Sequence, residues 1–228
     1  SVLKWAFEGK LTNENVKEGE LPKGWEMVPI TKIVEQNKHA LKAGPFGSSL
    51  KKEFYVPKGY KIYGQEQVIS DNPFLGDYYV NEEKYQELKS CQIKPFDILI
   101  SLVGTVGKVL ILPENCKEGI INPRLIKISL NRDVYLPKFF KSYFESSVVK
   151  LFYSSITKGT TMDVLNLGII KTIPFPLPSI EEQQLIVQEI ESRLSVADKM
   201  EESIAQSLQQ AEALRQSILK KAFSGELV

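Results

Sequence analysis

Residues 173–183, Ile173-Pro174-Phe175-Pro176-Leu177-Pro178-Ser179-Ile180-Glu181-Glu182-Gln183, decide how this chain divides. Each proline fixes its own φ and biases the residue before it away from helix, so Ile173–Pro178 reads as a run that cannot continue regular structure. Ser179 then offers an N-cap oxygen. Glu182, three residues on, completes a capping box, and Glu181 is favoured at the positive end of the helix dipole. From there apolar residues recur at three- and four-residue spacing: Ile190, Leu194, Ala197, Met200, Ile204, Leu208, Ala211, Leu214, Ile218 and Ala222. No proline or glycine intervenes before Gly225, so the spacing predicts one amphipathic helix within 179–228, a rod of about 65 Å.

A stripe of that length needs cover. It either folds onto its own domain as a surface helix or pairs with a partner. Glu201 and Arg215 fall on the strict heptad seam, which favours a short or antiparallel pairing over an extended parallel zipper.

The two ends of the chain repeat each other. Ser1-Val2-Leu3-Lys4-Trp5-Ala6-Phe7-Glu8-Gly9-Lys10-Leu11-Thr12 matches Ser217-Ile218-Leu219-Lys220-Lys221-Ala222-Phe223-Ser224-Gly225-Glu226-Leu227-Val228 at seven of twelve positions, 216 residues apart. The chain therefore reads as one period of a duplicated protein: the end of a preceding helix and a polar linker (1–20), a globular domain (21–178), and a complete long helix (179–228).

Net charge is +1, unevenly spread: residues 21–178 carry 21 Lys+Arg against 15 Asp+Glu, and residues 179–228 carry 5 against 9. A basic domain beside an acidic helix suits a polyanion on one and a protein on the other. No apolar run reaches the roughly 18–20 residues of a membrane span, and the residues after Ser1 do not read as a secretory signal. Cys91 and Cys116 lack metal-ligand spacing, so a reducing cytoplasm is the expected compartment.

Within the domain, Leu21-Pro22-Lys23-Gly24-Trp25 turns into a short strand, and 31–37 can form a helical turn. Lys42-Ala43-Gly44-Pro45-Phe46-Gly47-Ser48-Ser49-Leu50-Lys51-Lys52 is a loop whose glycines admit an anion to the backbone; it is equally a plain turn. Lys61–Ile69 reads as a strand and a polar turn carrying Gln65 and Gln67, the side-chain type that pairs with adenine edges. Phe96–Val103 and Gly107–Leu112 make a strand–turn–strand around Gly104-Thr105-Val106. Arg124–Leu130 alternates and reads as half-exposed. Pro137 starts a helix with Phe140, Phe144, Val148 and Leu151 along a core-facing stripe. Thr157-Lys158-Gly159-Thr160-Thr161 is a polar loop suited to phosphate or base contacts, or to an ST turn. The fold class is α+β: a globular mixed α/β domain followed by a long C-terminal helix.

Catalytic groupings are missing from this reading. His39, the single histidine, has no triad context. Asp71-Asn72-Pro73-Phe74 resembles the Asp/Asn-Pro-Pro-Tyr/Phe motif of amino-methyltransferases but lacks its second proline, and reads as a turn.

Taken together, Leu21–Trp25, Gly44–Ser49, Asp97–Ser101 leading to Gly104–Lys108, Gly159–Thr161, Ile173–Gln183 and Leu219–Gly225 resemble the specificity subunit of type I restriction–modification systems. The resemblance spans nearly the whole chain and is most specific at the Pro-Leu-Pro helix start and the closing segment. It implies a target-recognition domain at 21–178 and a conserved helix at 179–228 that forms an antiparallel coiled coil. It further implies recognition of one half of a split double-stranded DNA site, with methyltransferase and restriction/translocase subunits as partners. S-adenosylmethionine, ATP and Mg2+ are implied on those partners, and neither cofactor nor catalysis on this chain. With one recognition domain, the chain is expected to be half of a longer subunit or a half-subunit that forms a homodimer. The DNA-contact candidates are Lys42, Ser48, Ser49, Lys51, Lys52, Gln65, Gln67, Thr105, Lys108, Lys158, Thr160 and Thr161. From another class, a coiled-coil adaptor with a globular head and no DNA binding would show binding insensitive to salt and nucleic acid.

Overall fold

The computed structural model describes residues 2–13, 16–17, 20–156 and 165–225. In chain order the elements are α1 (Val2–Phe7), β1 (Glu26–Pro29), β2 (Leu41–Ala43), β3 (Tyr60–Tyr63), α2 (Gln65–Ile69), β4 (Tyr79–Val80) and α3 (Glu82–Glu87). They continue with β5 (Ile98–Ser101), β6 (Val109–Ile111), β7 (Gly119–Ile121), β8 (Leu125–Ile128), α4 (Pro137–Phe144), α5 (Ser147–Ile156), α6 (Leu167–Thr172), β9 (Pro174–Leu177) and α7 (Ile180–Phe223). Two compact units result, residues 1–187 and 188–228.

Three small sheets build the first unit. Strands β2, β8, β5 and β6 form an antiparallel sheet in that order; β4, β3 and β7 form a mixed one with β3 and β7 parallel. Between them lies a core of Ile62, Tyr63, Val80, Leu99, Leu110, Ile120, Ile121 and Leu125. A third, two-stranded ribbon pairs β1 with β9, Val28 opposite Phe175. The Ile173–Pro178 run is thus a strand, contrary to its reading as irregular. Prolines cannot donate to a ladder, but a two-stranded ribbon leaves each strand an edge where no donation is required.

The 124–130 segment is also corrected. Its strand β8 lies between β2 and β5 and is buried throughout. Its alternation suggested a wet face, but Lys127 and Ser129 are almost wholly buried and tied to Asp97 in a polar cluster. The helix from Pro137 is two helices broken at Glu145–Ser146. Phe140 and Phe144 are enclosed, whereas Val148 and Leu151 are exposed. Phe140 stacks with Phe144 at 5.4 Å and with Phe175 at 5.4 Å, which makes the β1–β9 ribbon and α4 one aromatic core. Such pairs add about 0.5–1.5 kcal/mol each beyond area burial.

The terminal repeat reappears in three dimensions. Helix α1 ends at Phe7 and α7 at Phe223, the equivalent repeat position. Gly9 (φ 73°) and Gly225 (φ 75°) both take the left-handed conformation two residues later, where a side chain would be strained. Phe7 packs edge-on against Phe139 and Tyr143 at 5.5 and 5.0 Å, while Phe223 is 90 % exposed.

Helix α7 runs 44 residues. The Glu182 N–H donates to Ser179 Oγ at 3.2 Å, which is half of the expected capping box. The return arm differs, because the Glu182 carboxylate accepts from Thr12 Oγ1 at 2.9 Å and Asn13 Nδ2 at 3.1 Å. Those residues, read as linker, are therefore tied to the first turn of α7. Buried Gln183 adds donations to Val134 and Pro178 carbonyls and accepts the Leu136 N–H at 2.8 Å. Of the pairing positions, Ile190 is buried, so the free stripe starts later. Leu194, Ala197, Met200, Ile204, Leu208, Ala211, Leu214 and Ile218 are all exposed.

Candidate nucleic-acid interface

Strand direction gathers four connections at one end of the sheets. The exits of β2, β3, β5 and β7 and the entries of β6 and β8 share that end. Main-chain hydrogen bonds lock them together. Gly44 N–H donates to Leu125 O at 2.9 Å, Asn122 N–H to Tyr63 O at 2.9 Å, and Leu102 N–H to Arg124 O at 3.0 Å. The Gln65 amide Nε2 adds a bond to the Val103 carbonyl. Three of the loops so joined carry Gln65, Thr105 with Lys108, and Arg124.

Each loop has a local cause. Fully buried Ser101 folds the β5–β6 loop: its hydroxyl donates to Thr105 O at 2.5 Å and accepts the Lys108 N–H at 3.1 Å. Thr105 and Lys108 are exposed as a result. Asn122 Oδ1 accepts the Arg124 N–H at 2.9 Å, an Asx turn that leaves Arg124 exposed. Gly44 lies so close to the Asn122 carbonyl that an added Cβ would sit 1.9 Å from its oxygen. The following Phe46 is 88 % exposed at the tip of its loop, with Ser48 exposed and Ser49 partly so. Exposed hydroxyl, ammonium and guanidinium groups, with the partly exposed Gln65 amide, are donors and acceptors that base edges and phosphates match.

Two candidates lie elsewhere. Gln67 belongs to α2, not to a polar turn, and is fully buried. Its Oε1 accepts the Gly64 N–H at 2.7 Å and its Nε2 donates to Leu75 O at 2.7 Å, so it holds the loop in place from inside the fold, where no base reaches it. Lys42 is half-exposed within β2, across from Lys127 and away from the loop end. Lys51 and Lys52 are exposed just beyond buried Leu50, with Lys51 3.7 Å from Glu53. Lys158, Thr160 and Thr161 lie outside the described residues.

Sequence reading missed Arg124 and Lys61. Asn-Pro-Arg between two apolar runs is a turn signal that could have marked Arg124. Lys61 had no such signal. Its buried ammonium donates to Leu75 O at 2.9 Å and Gly76 O at 2.6 Å, fixing the loop after α2. Burial pushes its pKa below the usual lysine range.

The chain is a mixed α/β domain followed by a 44-residue helix. The fold matches the HsdS subunit from Thermoanaerobacter tengcongensis with a TM-score of 0.63 at 20% identity, over 99% of this chain and 51% of that one. It matches a chain solved for the complex assembly and conformational transition of the type I R-M system with a TM-score of 0.68 at 19% identity, over 99% and 52%. In sequence, residues 22–212 match the model of the type I restriction modification DNA specificity domain, and the chain belongs to that family. It is 32% identical over 148 residues to the EcoBI specificity subunit of Escherichia coli, covering 65% of this chain and 31% of the relative. The EcoKI specificity subunit of Escherichia coli K12 is 25% identical over 236 residues, covering 100% and 48%. The chain thus spans less than half the length of these relatives. Among the described residues, no helix is long and apolar enough to cross a membrane.

Proposed function

We propose that this chain reads one half of a split double-stranded DNA site and itself performs no catalysis. The observation that carries the reading is the hydrogen-bonded convergence of loops bearing Gln65, Thr105, Lys108 and Arg124 at one strand end, within a basic domain. Ser48, Ser49, Lys51 and Lys52 extend that surface, and Lys158, Thr160 and Thr161 belong to the same proposal. Arg124 and Gln65 address base edges; Lys51, Lys52 and Lys108 hold phosphates.

Helix α7 pairs antiparallel with the equivalent helix of a second recognition unit, in a second copy or in a longer chain. That pair spaces the half-sites and gathers methyltransferase and restriction/translocase subunits, which carry S-adenosylmethionine, ATP and Mg2+. The repeat supports this. Phe7 fills a socket between Phe139 and Tyr143, and its exposed repeat-equivalent Phe223 suits the corresponding socket of a second recognition domain in a longer chain; in a homodimer that socket already holds the second copy's own Phe7. In a two-fold homodimer the site read is palindromic.

A paired set of variants tests the division of labour. Lys51→Ala with Lys52→Ala weakens binding to specific and scrambled duplexes alike and lowers the slope of log K against log salt by about 1.8, at about 0.9 per phosphate. Arg124→Ala costs about 1–3 kcal/mol on the specific duplex only. Fluorescence anisotropy of the complex with its methyltransferase subunit, at several salt concentrations, measures both. An unchanged slope, or equal losses on both duplexes for Arg124→Ala, contradicts the assignment.

A further inference from the structure

A second cationic feature lies at the other end of the same strands. In the β2–β8 register Lys42 stands directly across from Lys127, and like charges so placed repel. The Lys127 side chain is only 7 % exposed, and a buried ammonium needs compensation. Among the described residues it finds the Gln92 carbonyl at 2.7 Å and one carboxylate, Asp97, at 3.9 Å. That carboxylate is already held by the Ser129 hydroxyl at 2.5 Å and the Lys94 N–H at 2.9 Å. Burial raises the Asp97 pKa and lowers that of Lys127, so each charge is incompletely balanced by the other.

The Lys127 side chain lines an open depression of about 290 Å³ whose wall also holds His39, Lys89, Gln92, Lys94 and Ser129, with no carboxylate among its described residues. Glu35, outside that lining, pairs with the Lys94 ammonium. His39 is held below the usual imidazole range by partial desolvation and then by Lys38, Lys127, Lys42 and Lys89. The depression borders the residues before β2, before β5 and after β8, so it is distinct from the loops proposed to read bases.

We propose that this depression is a binding site for a phosphoryl group, with Lys89, Lys94 and Lys127 supplying charge and His39 a further donor. Anionic phosphoryl oxygens among ammonium groups form the strong, charge-assisted class of hydrogen bond. The group is either a free phosphate or a backbone phosphodiester of DNA.

His39 is the single histidine in the chain, so its imidazole gives one NMR signal on which to follow binding. The full chain is titrated with inorganic phosphate at constant ionic strength against chloride, and separately with duplex DNA. A saturable shift with phosphate assigns a small-molecule phosphate; a shift with duplex alone assigns the DNA backbone. Lys89→Ala weakens the response about fivefold, the loss of one charge-assisted contact, and Lys127→Met at least about tenfold by the same reasoning. Lys89 is exposed, so its variant keeps the fold if Lys127→Met does not. The proposal is overturned by no shift with either titrant, by an equal shift with chloride, or by wild-type affinity in Lys89→Ala. The Arg124→Ala variant retains the shift with phosphate, which separates this site from the base-reading proposal.

Discussion

Leu208→Asp is expected to abolish the proposed helix pairing without unfolding the domain. Leu208 is 70 % exposed within the chain, so its removal takes little from the stability of residues 21–178. Its apolar area is buried only when a second helix covers the stripe. Withdrawing one leucine from that interface and placing an unpaired carboxylate there costs about 3 kcal/mol, roughly a hundredfold in association. Because each copy contributes the position, a homodimer suffers the loss twice. Sedimentation of the variant is expected to give the monomer, with far-UV circular dichroism of the domain retained. Gln206→Asp, on the opposite side of the helix, leaves association unchanged. A Leu208→Asp protein that still sediments at wild-type size, alone and with its methyltransferase subunit, assigns the helix another job.

The second large effect falls on Gly44. An ideal Cβ there meets the Asn122 oxygen at 1.9 Å, its carbonyl carbon at 2.6 Å and Pro123 Cα at 3.0 Å, all backbone atoms that cannot rotate away. Gly44→Ala must therefore part the β2 exit from the β7–β8 turn and weaken the Gly44–Leu125 hydrogen bond of 2.9 Å. Overpacking of this kind costs about 1–3 kcal/mol, or roughly 3–10 °C in melting temperature for a chain of this size. Specific DNA binding falls by more than the stability loss explains, at least about tenfold at temperatures where the variant is fully folded, because Arg124 moves with the displaced turn. Gly47→Ala, where an added Cβ meets nothing within 4 Å, is the matched control. Wild-type melting and binding for Gly44→Ala contradict the locked-edge description.

The helix was legible because periodicity and capping are local, and the terminal repeat was legible because it is written twice. What local patterns could not show was where polar side chains find partners. Lys127 and Ser129 gave β8 the alternation of a half-exposed strand, but their partners are Asp97 and Gln92, some thirty residues away in sequence. Glu182 looked like the return arm of a capping box, and only the fold brings Thr12 and Asn13 to it. Proline-rich Ile173–Pro178 read as irregular because its strand partner, Glu26–Pro29, lies about 150 residues earlier. At the proposed reading edge, the sequence marked the loops through their glycine and hydroxyl residues. Arg124 was overlooked because it sits at the start of an apolar strand, and Gln67 was over-read because residue type alone cannot distinguish a solvated amide from a buried one.

Sequence-specific recognition by residues 21–178 is open to selection from a randomised duplex pool, with the chain alone and with the proposed methyltransferase partner. Enrichment of a short motif is expected, repeated as an inverted pair at fixed spacing when the helices pair between copies. Folded protein that binds its partner subunit and enriches no sequence in either mixture contradicts it.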